Sequence, residues 1–539
     1  MTGNIYVFDS SCMQMLATQV CCRACIMGHW KSGIRTDSEL NTGPSLLASS
    51  HLRSAHKLSF TAYNDGTPVT MERTIKKVLV VLPSSQCQQI LENYSEAGRY
   101  EFHWLTDPHS PTQNRTNDPT NFTTFDPIAY IDKAVKYVKE NKIDAIFYIQ
   151  DFPGLLAAII CEVTGLPGPS VESMFLCIHK YYSRMTEPSK LWFEAIELEN
   201  SESKLQDLSI KYPCFVKPPC MYNTMGTYEV RNETEMKEAL ASCHNALPAW
   251  NAVWRPLFEK YIDTKKYPLA LKDVALVEEL VQDGTEHTVE GWVDDKSNYH
   301  IWLTSDQGFF MKPRKTLEGC YIPSQARKSI VKKMEAVALR VAENHGLRHT
   351  FFNIEMWCRN GGREITVTEI NNRAYFVFHH LYYQVYGTSS CFAALHLACG
   401  EYEEVTKLCA TKLHQQEGKG TLVGGQFYVQ IHVHRERKAA EIINFEAARN
   451  LQEQALCSSE LGLFVSHGSA INLKVDEHSI LRPLGSSGYL TILFYVFKTT
   501  LHEVMIAGEE VRNRLVKVKD VLPYEREKEY YQDCCGLSL

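Results

Sequence analysis

Organised patterning begins at Lys76–Pro83, KKVLVVLP, a continuous apolar run suited to the buried first strand of a parallel sheet. The polar stretch Thr106–Phe125 then reads as a loop. Asp126-Pro127 reads as an N-cap with proline at the first helical position, and Ile128, Ile131, Val135 and Val138 follow at helical spacing. A second strand, Asp144–Ile149, ends at Gln150-Asp151 and leads into an apolar helix, Leu155–Thr164, closed by Gly165. Strands alternating with helices imply a small doubly wound domain that ends near residue 173.

Farther along, Cys214–Pro218 reads as a strand, Pro219–Thr227 as a loop and Glu233–Ser242 as an acid-rich helix. Ala275–Val281 resembles a strand running into a hinge, and Glu286–Asp294 a strand ending in a turn. Arg327–Asn344 carries the clearest helical stripe: Ile330, Val331, Met334, Val337, Ala338, Val341 and Ala342, with Gly346 as the stop. A further α+β region follows, with strands at Gly425–Val433 and Tyr489–Phe497 and a helix from Leu501 to Leu515. The expected class is thus α/β with α+β. The division is an N-terminal extension over 1–70, domains over 71–173, 174–420 and 421–525, and a tail over 526–539. The extension is polar, Ser/Thr-rich and without sustained periodicity, so it is expected to be poorly ordered.

Between the clear helix and the last region lies FFNIEMWCRNGGREITVTEINNR, residues 351–373. It reads as strands Phe351–Cys358 and Glu364–Asn371, joined by the turn signal Asn360-Gly361-Gly362. With a side-chain period of two, Glu369, Asn371 and Arg373 share one face at steps of about 7 Å. A three-residue loop, Gly361–Arg363, sets Glu355 directly opposite Glu369. Two carboxylates, an amide oxygen and a guanidinium make a hard-oxygen site for Mg²⁺ with a phosphate partner beside it. The same pattern is also that of a solvated hairpin face with ordinary charges.

Composition narrows the function classes. A chain of 539 residues with 44% hydrophobic and 22% charged residues is globular and long enough for three or four domains. A net charge of −7 gives no basic footprint, which argues against nucleic-acid binding as the main activity. The longest apolar stretch, Tyr489–Phe497, is far short of the roughly 18 residues of a membrane span. No basic region followed by an apolar core opens the chain, so no secretory signal is expected. Eighteen scattered cysteines read as reduced thiols in the cytosol, which makes the sequons at Asn93, Asn114 and Asn121 uninformative. Cys12, Cys21, Cys22 and Cys25 cluster without a second ligand pair at zinc spacing.

Four motifs then follow one another: LPGPSVESMFLCIHKYYSR (166–184), FVKP (215–218), VEEL (277–280) with GTEHTVEG (284–291), and FFNIEM…TEINNR (351–373). Their order and approximate spacing resemble the ATP-grasp superfamily, nearest in style to its carbamoyl-phosphate-synthetase-like and amino-acid-ligase members. The resemblance covers residues 76 to 425. It implies a preATP-grasp Rossmann-like domain, a two-lobed ATP-grasp domain and a C-terminal α+β domain. Lys217 resembles the lysine that reaches the ATP phosphates, and Lys180 the earlier phosphate-facing lysine. Either alone would read as a surface lysine. Glu278, Glu279 and Leu280 resemble the hinge that brackets adenine, with an acidic side chain accepting from the base's amino group. Glu286 resembles the carboxylate on the ribose hydroxyls, and otherwise a strand-edge charge. Glu355, Glu369 and Asn371 resemble the Mg²⁺ (or Mn²⁺) ligands. Arg373 resembles the residue that steadies the transferred phosphoryl group and, with Lys217, makes up the catalytic pair.

The implied activity is an ATP-dependent carboxylate–amine or carboxylate–thiol ligase working through an acyl phosphate on small-molecule substrates in the cytoplasm. Dimers are common in the family, which leaves a homodimer open. Two other readings stand beside it. One is a biotin-carboxylase-like component, here with a separate carrier because no Met-Lys-Met site occurs. The other is an ATP-binding protein with altered catalysis. The chain departs from the family in its phosphate loop, Pro219–Gly226, which has a single glycine where backbone approach to phosphate favours several. It departs again after Arg373, where Ala374-Tyr375-Phe376, His379, His380, Tyr382 and Tyr383 read either as the wall of a substrate pocket or as a packed aromatic helix. No cysteine is expected to be catalytically required; Cys220 alone lies near the proposed chemistry.

Overall fold

The computed structural model describes residues 59–64, 67–72, 75–110, 124–188, 191–200, 210–221, 226–310, 316–410, 415–416, 420–431, 433, 435–457, 466–467, 475–482 and 489–518. The N-terminal cysteine cluster, Tyr222–Met225 of the expected phosphate loop and the tail lie outside them. The chain divides into two compact units, one of residues 1–75 with 95–99 and one of the rest. In the first, β1 (Ser59–Asn64) pairs antiparallel with β2 (Thr67–Glu72). The sequence between them is Asp65-Gly66, a strong hairpin signal in a stretch that otherwise lacks periodicity.

The second unit starts with a parallel sheet of β3 (Lys76–Val81), β4 (Tyr100–Leu105) and β5 (Ala145–Phe147), in the order β4-β3-β5. Val78–Val81 of the central strand are fully buried, as an apolar run covered on both faces should be. The helix Pro127–Asn141 is capped by the Asp126 carboxylate, which accepts from the Ile128 and Ala129 amides. The helix Asp151–Thr164 starts just past the end of β5 and closes on Gly165 at φ 76°.

Next comes a four-stranded antiparallel sheet, ordered β6-β9-β7-β8: β6 (Phe193–Glu197), β7 (Cys214–Lys217), β8 (Tyr228–Val230) and β9 (Val274–Glu279). The acid-rich helix does not end at Ser242 but runs from Glu233 to Tyr261 through Pro248 and Pro256. Leu247, Trp250, Val253, Trp254, Leu257 and Phe258 are all buried along it. That continuous apolar stripe outweighs the proline penalty.

The largest element is an eight-stranded antiparallel sheet, ordered β14-β13-β10-β11-β12-β17-β21-β19. Its strands are β10 (Thr285–Val293), β11 (Tyr299–Phe310), β12 (Thr316–Ile322), β13 (Thr350–Arg359), β14 (Glu364–Asn371), β17 (Val423–Ile431), β19 (Ser466–His467) and β21 (Tyr489–Lys498). Two short ribbons, β15 (Gln415–Gln416) with β16 (Gly420–Thr421) and β18 (Arg437–Lys438) with β20 (Ile480–Leu481), lie outside it. One face packs Val289, Phe352, Ile354, Met356 and Val367 against the helix Lys328–Asn344. The C-terminal strands β17, β19 and β21 do not make a sheet of their own. They continue this one, because β17 pairs with β12 and covers an edge that would otherwise stay open. Among the described residues no helix is long and apolar enough to cross a membrane.

The helix Leu501–Leu515 lies against this C-terminal extension through Gly508, where a Cβ would stand 2.1 Å from the Phe427 ring. Gly508→Ala should therefore destabilise by about 1–3 kcal/mol although alanine is the better helix former. Gly98→Ala, with nothing near its added methyl, should be close to neutral. Urea unfolding of the two variants checks this; a stabilised Gly508→Ala would show that the helix does not sit as described.

Candidate active site

The site is built on the edge hairpin of the large sheet. Arg359 pairs with Glu364, so the loop is the four residues Asn360–Arg363, not three. Asn360, Gly361 and Gly362 all take positive φ there, at 51°, 63° and 82°. An even loop alone would set Glu355 opposite Thr368. The register, however, shifts between Glu355 and Met356: Met356 faces Val367, and Glu355 faces Glu369. Thr368 is the extra residue of a β-bulge, which returns Glu369 and Asn371 to the face of Glu355. The bulge leaves the Thr368 carbonyl unpaired in the ladder, and Arg184 Nη2 donates to it at 2.7 Å. The Thr368 hydroxyl donates to Glu286 Oε1 at 3.1 Å.

On that face the expected residues converge. Lys180, at the start of the helix Lys180–Thr186, lies 3.4 Å from Glu369 Oε1 and donates to the Met221 carbonyl at 2.6 Å. Asn371 Nδ2 is 3.4 Å from Glu355 Oε1, and Arg373 Nη2 is 3.2 Å from Asn371 Oδ1. The Glu369 side chain is 32% exposed and reachable. The two facing carboxylates are driven apart in pKa. Burial, with Glu369 and Glu286 beside it, raises Glu355 well above the usual range. Burial also acts upward on Glu369, but Lys180 and Lys217 outweigh it and hold Glu369 low.

Lys217 ends β7 and is buried against Glu278, with Nζ to Oε1 at 2.6 Å. Glu278 also accepts from Arg184 Nε at 2.7 Å, and Arg184 Nη1 meets Glu187 Oε2 at 2.5 Å. Burial would raise Glu278, but Arg184 and Lys217 bring it down to about 2. Its carboxylate therefore serves as the anchor of two cations and does not stand open toward a base. Glu279, on the opposite face of β9, is 3.5 Å from Arg359 Nη1. Glu279 ends β9 and Leu280 follows it. Glu286 lies on the same face as the hairpin carboxylates.

Several participants carry no sequence signal of their own. Asp151 Oδ2 receives Arg373 Nε at 2.8 Å. Tyr148 donates its hydroxyl to the Asn372 carbonyl at 3.2 Å and lies 2.9 Å from Thr350 Oγ1. Both come from the end of β5, where open parallel sheets place ligand contacts, and that position was their one advance sign. The aromatic stretch after Arg373 is mainly core. Phe378, Leu381 and Tyr382 are buried, and His379 bonds Ser389 Oγ at 2.7 Å. Tyr382 nonetheless reaches the sheet face, donating to Glu290 Oε1. Burial pushes Glu290 well above the usual carboxylate range, with Arg373 acting against it. Burial also pushes the Cys220 thiol up to about 12, which removes it as a nucleophile at neutral pH.

No group of three or more His, Cys, Asp or Glu among the described residues could hold a metal unaided. Two facing carboxylates with an amide fit Mg²⁺ all the same, because that ion is commonly held by one or two carboxylates and completed by substrate phosphates.

Residues 210–376 match the family described as the ATP-grasp domain. The fold is similar to that of an L-amino acid ligase from Bacillus licheniformis, with a TM-score of 0.60 and 15% identity over 83% of this chain and 100% of that one. It is similar to a carboxyaminoimidazole ribonucleotide synthase from Aspergillus clavatus complexed with ATP, at 0.54 and 15% identity over 83% and 100%. It is also similar to a phosphoribosylglycinamide synthetase from Anaerococcus prevotii, at 0.50 and 17% over 82% and 100%. No curated protein matches the chain in sequence. Residues 210–376 thus carry an ATP-grasp domain, and the chain shares the fold of these ligases and synthetases.

The buried network gives a test of its own. Glu278→Gln leaves Lys217 and Arg184 short of a partner and should cost about 3–5 kcal/mol at pH 7. A carboxylate lowered from 4.5 to about 2 stabilises the fold above its unfolded value and loses that contribution as pH falls toward 2. The gap between wild type and variant in urea unfolding should therefore narrow between pH 4.5 and pH 2. A gap that does not change with pH would contradict the pairing.

Proposed function

We propose that this protein is an ATP-dependent ligase that activates a small carboxylate as an acyl phosphate and transfers the acyl group to an amine. The observation that carries this is the convergence of Glu355, Glu369, Asn371, Arg373, Lys180 and Lys217 on one side of the large sheet. In the reaction a substrate carboxylate oxygen attacks the γ-phosphorus of ATP and ADP departs. The amine nitrogen then attacks the acyl carbon, the bond from that carbon to the bridging oxygen breaks, and phosphate departs with the oxygen and its electron pair while the nitrogen loses a proton.

Lys180 and Lys217 supply fixed positive charge to the triphosphate, and Arg373 supplies it where charge develops on the transferred group. Asp151 holds Arg373 by its Nε and Asn371 Oδ1 accepts from its Nη2, so the guanidinium is oriented beside the metal ligands before a phosphoryl group arrives. Glu355, Glu369 and Asn371 would hold Mg²⁺, which when bound neutralises phosphate charge and fixes the line of attack. Glu286 is assigned to the ribose. Reading of the base is assigned to the main chain of Glu279 and Leu280, since the Glu278 side chain is engaged elsewhere.

Mg-ATP should stabilise the protein by about 2.7 kcal/mol at a hundredfold excess over Kd, and EDTA should abolish the shift in Tm. If magnesium makes no difference to the shift, the metal assignment is wrong. Glu369→Gln should lower ATP turnover by two or more orders of magnitude with little change in apo Tm. Glu364→Gln, at the exposed turn end of the hairpin, should change neither. Equal small effects in the two variants would reject the site.

A further inference from the structure

A base read by the main chain of Glu279 and Leu280 has to meet a segment that is held in one place. Residues 280–284 join β9 of the smaller sheet to β10 of the large one and form neither helix nor strand. The Glu279 amide donates to the Trp192 carbonyl at 2.8 Å, but among the described residues no turn-type main-chain hydrogen bond fixes 280–284. Main-chain groups left open in this way are available to a base edge. They are equally free to shift unless side chains hold them.

The hold comes from the far end of β13. Val281 packs with Leu191 and Trp357 in a small buried cluster. Gly284, at φ 93°, lies so close to β13 that a Cβ there would run into the Cys358 carbonyl oxygen and crowd the Arg359 stem. Arg359, the last residue of β13, then reaches across the segment. Its Nε donates to Asp283 Oδ1 at 2.8 Å, and its Nη1 lies 3.5 Å from Glu279 Oε1. One guanidinium thus grips an acid at each end of the loop. Among the described residues no other cation pairs with either acid. Glu364 turns to Asn360 instead and stands 3.9 Å from Arg359. The arginine is 20% exposed and its partners more so, which keeps the contribution of each pair to stability modest. What a planar fork on two acids supplies is a fixed shape.

We propose that Arg359 is a positioning residue for nucleobase recognition: it clamps the segment that reads the base onto the strand that carries Glu355. This rests on the ligase reading and its assignment of the base to Glu279 and Leu280. Glu355 and Arg359 lie about 13 Å apart along β13. Base site and metal site therefore share one strand, and the distance between them is set before a nucleotide arrives. None of the roles assigned above uses Arg359.

The test is titration calorimetry with Mg-ATP and with the magnesium complex of inosine triphosphate, which keeps the ribose and triphosphate and changes the base edge. The wild type should bind ATP more tightly than the inosine nucleotide. Arg359→Met keeps the stem over Gly284 and removes the fork. It should raise Kd for ATP about fivefold while leaving that for the inosine nucleotide nearly unchanged, so that the preference for adenine falls. Arg359→Lys should recover part of the preference. Arg359→Asp combined with Asp283→Arg should bind ATP more tightly than Arg359→Asp alone. Apo Tm reads folding separately and should move little in Arg359→Met. An undiminished adenine preference in Arg359→Met would overturn the clamp and leave the nucleotide site standing. So would an equal loss for both nucleotides, the mark of a general disturbance of the site. A wild type that binds both nucleotides alike would reject the base assignment together with the clamp. One that binds neither would reject the ligase reading itself.

Discussion

One extra residue sets the geometry of the site. The bulge at Thr368 corrects a hairpin whose four-residue loop would otherwise turn Glu369 away from Glu355. The same residue offers a free carbonyl to Arg184 and a hydroxyl to Glu286. The register of the large sheet, the ion network of the smaller sheet and the acidic face are thus joined at a single irregular point. Bulges concentrate near functional sites because they re-aim side chains without breaking the sheet. Here the re-aimed group is a carboxylate that must stand against another.

Such an arrangement is unfavourable by itself. Two carboxylates facing each other at a sheet edge repel, and the fold answers with charge placed in layers. Lys180 leans on Glu369, while Arg373 approaches Asn371 from the other end. Behind them Arg184 ties Glu187 and Glu278 together, and Glu278 holds Lys217. Lys217 is therefore not a free arm. Its ammonium is buried and already paired, so its position is fixed before any phosphate arrives, which limits the reorganisation that binding would otherwise require.

Local signals in the chain were sufficient for much of this. The Asp126 cap, the stripe on Lys328–Asn344, the buried β3 and the two hairpin strands follow from patterns that act over a few residues. The facing of Glu355 and Glu369 was legible too, but through a three-residue loop that does not exist; the bulge that produces it depends on contacts from Arg184, 184 positions away. The helix through Pro248 and Pro256 and the joining of β17 to β12 are decided by tertiary burial, which no local window carries. Glu278 looked like an open acid because its partner Arg184 is remote in sequence. Glu290 stood within a quoted motif yet gave no sign, since a strand pattern does not tell a solvated glutamate from one sealed under a tyrosine.

The contacts that Tyr148 and Asp151 make with the hairpin have a bearing on how such a chain can change over time. Tyr148 grips both ends of the hairpin and Asp151 holds its arginine. A shuffled gene that joined a foreign opening domain to this body would sever those grips even if each part folded. Drift at position 151 would be tolerated only alongside drift at 373. Inheritance would keep the two segments together as one unit, although more than two hundred residues of chain lie between them.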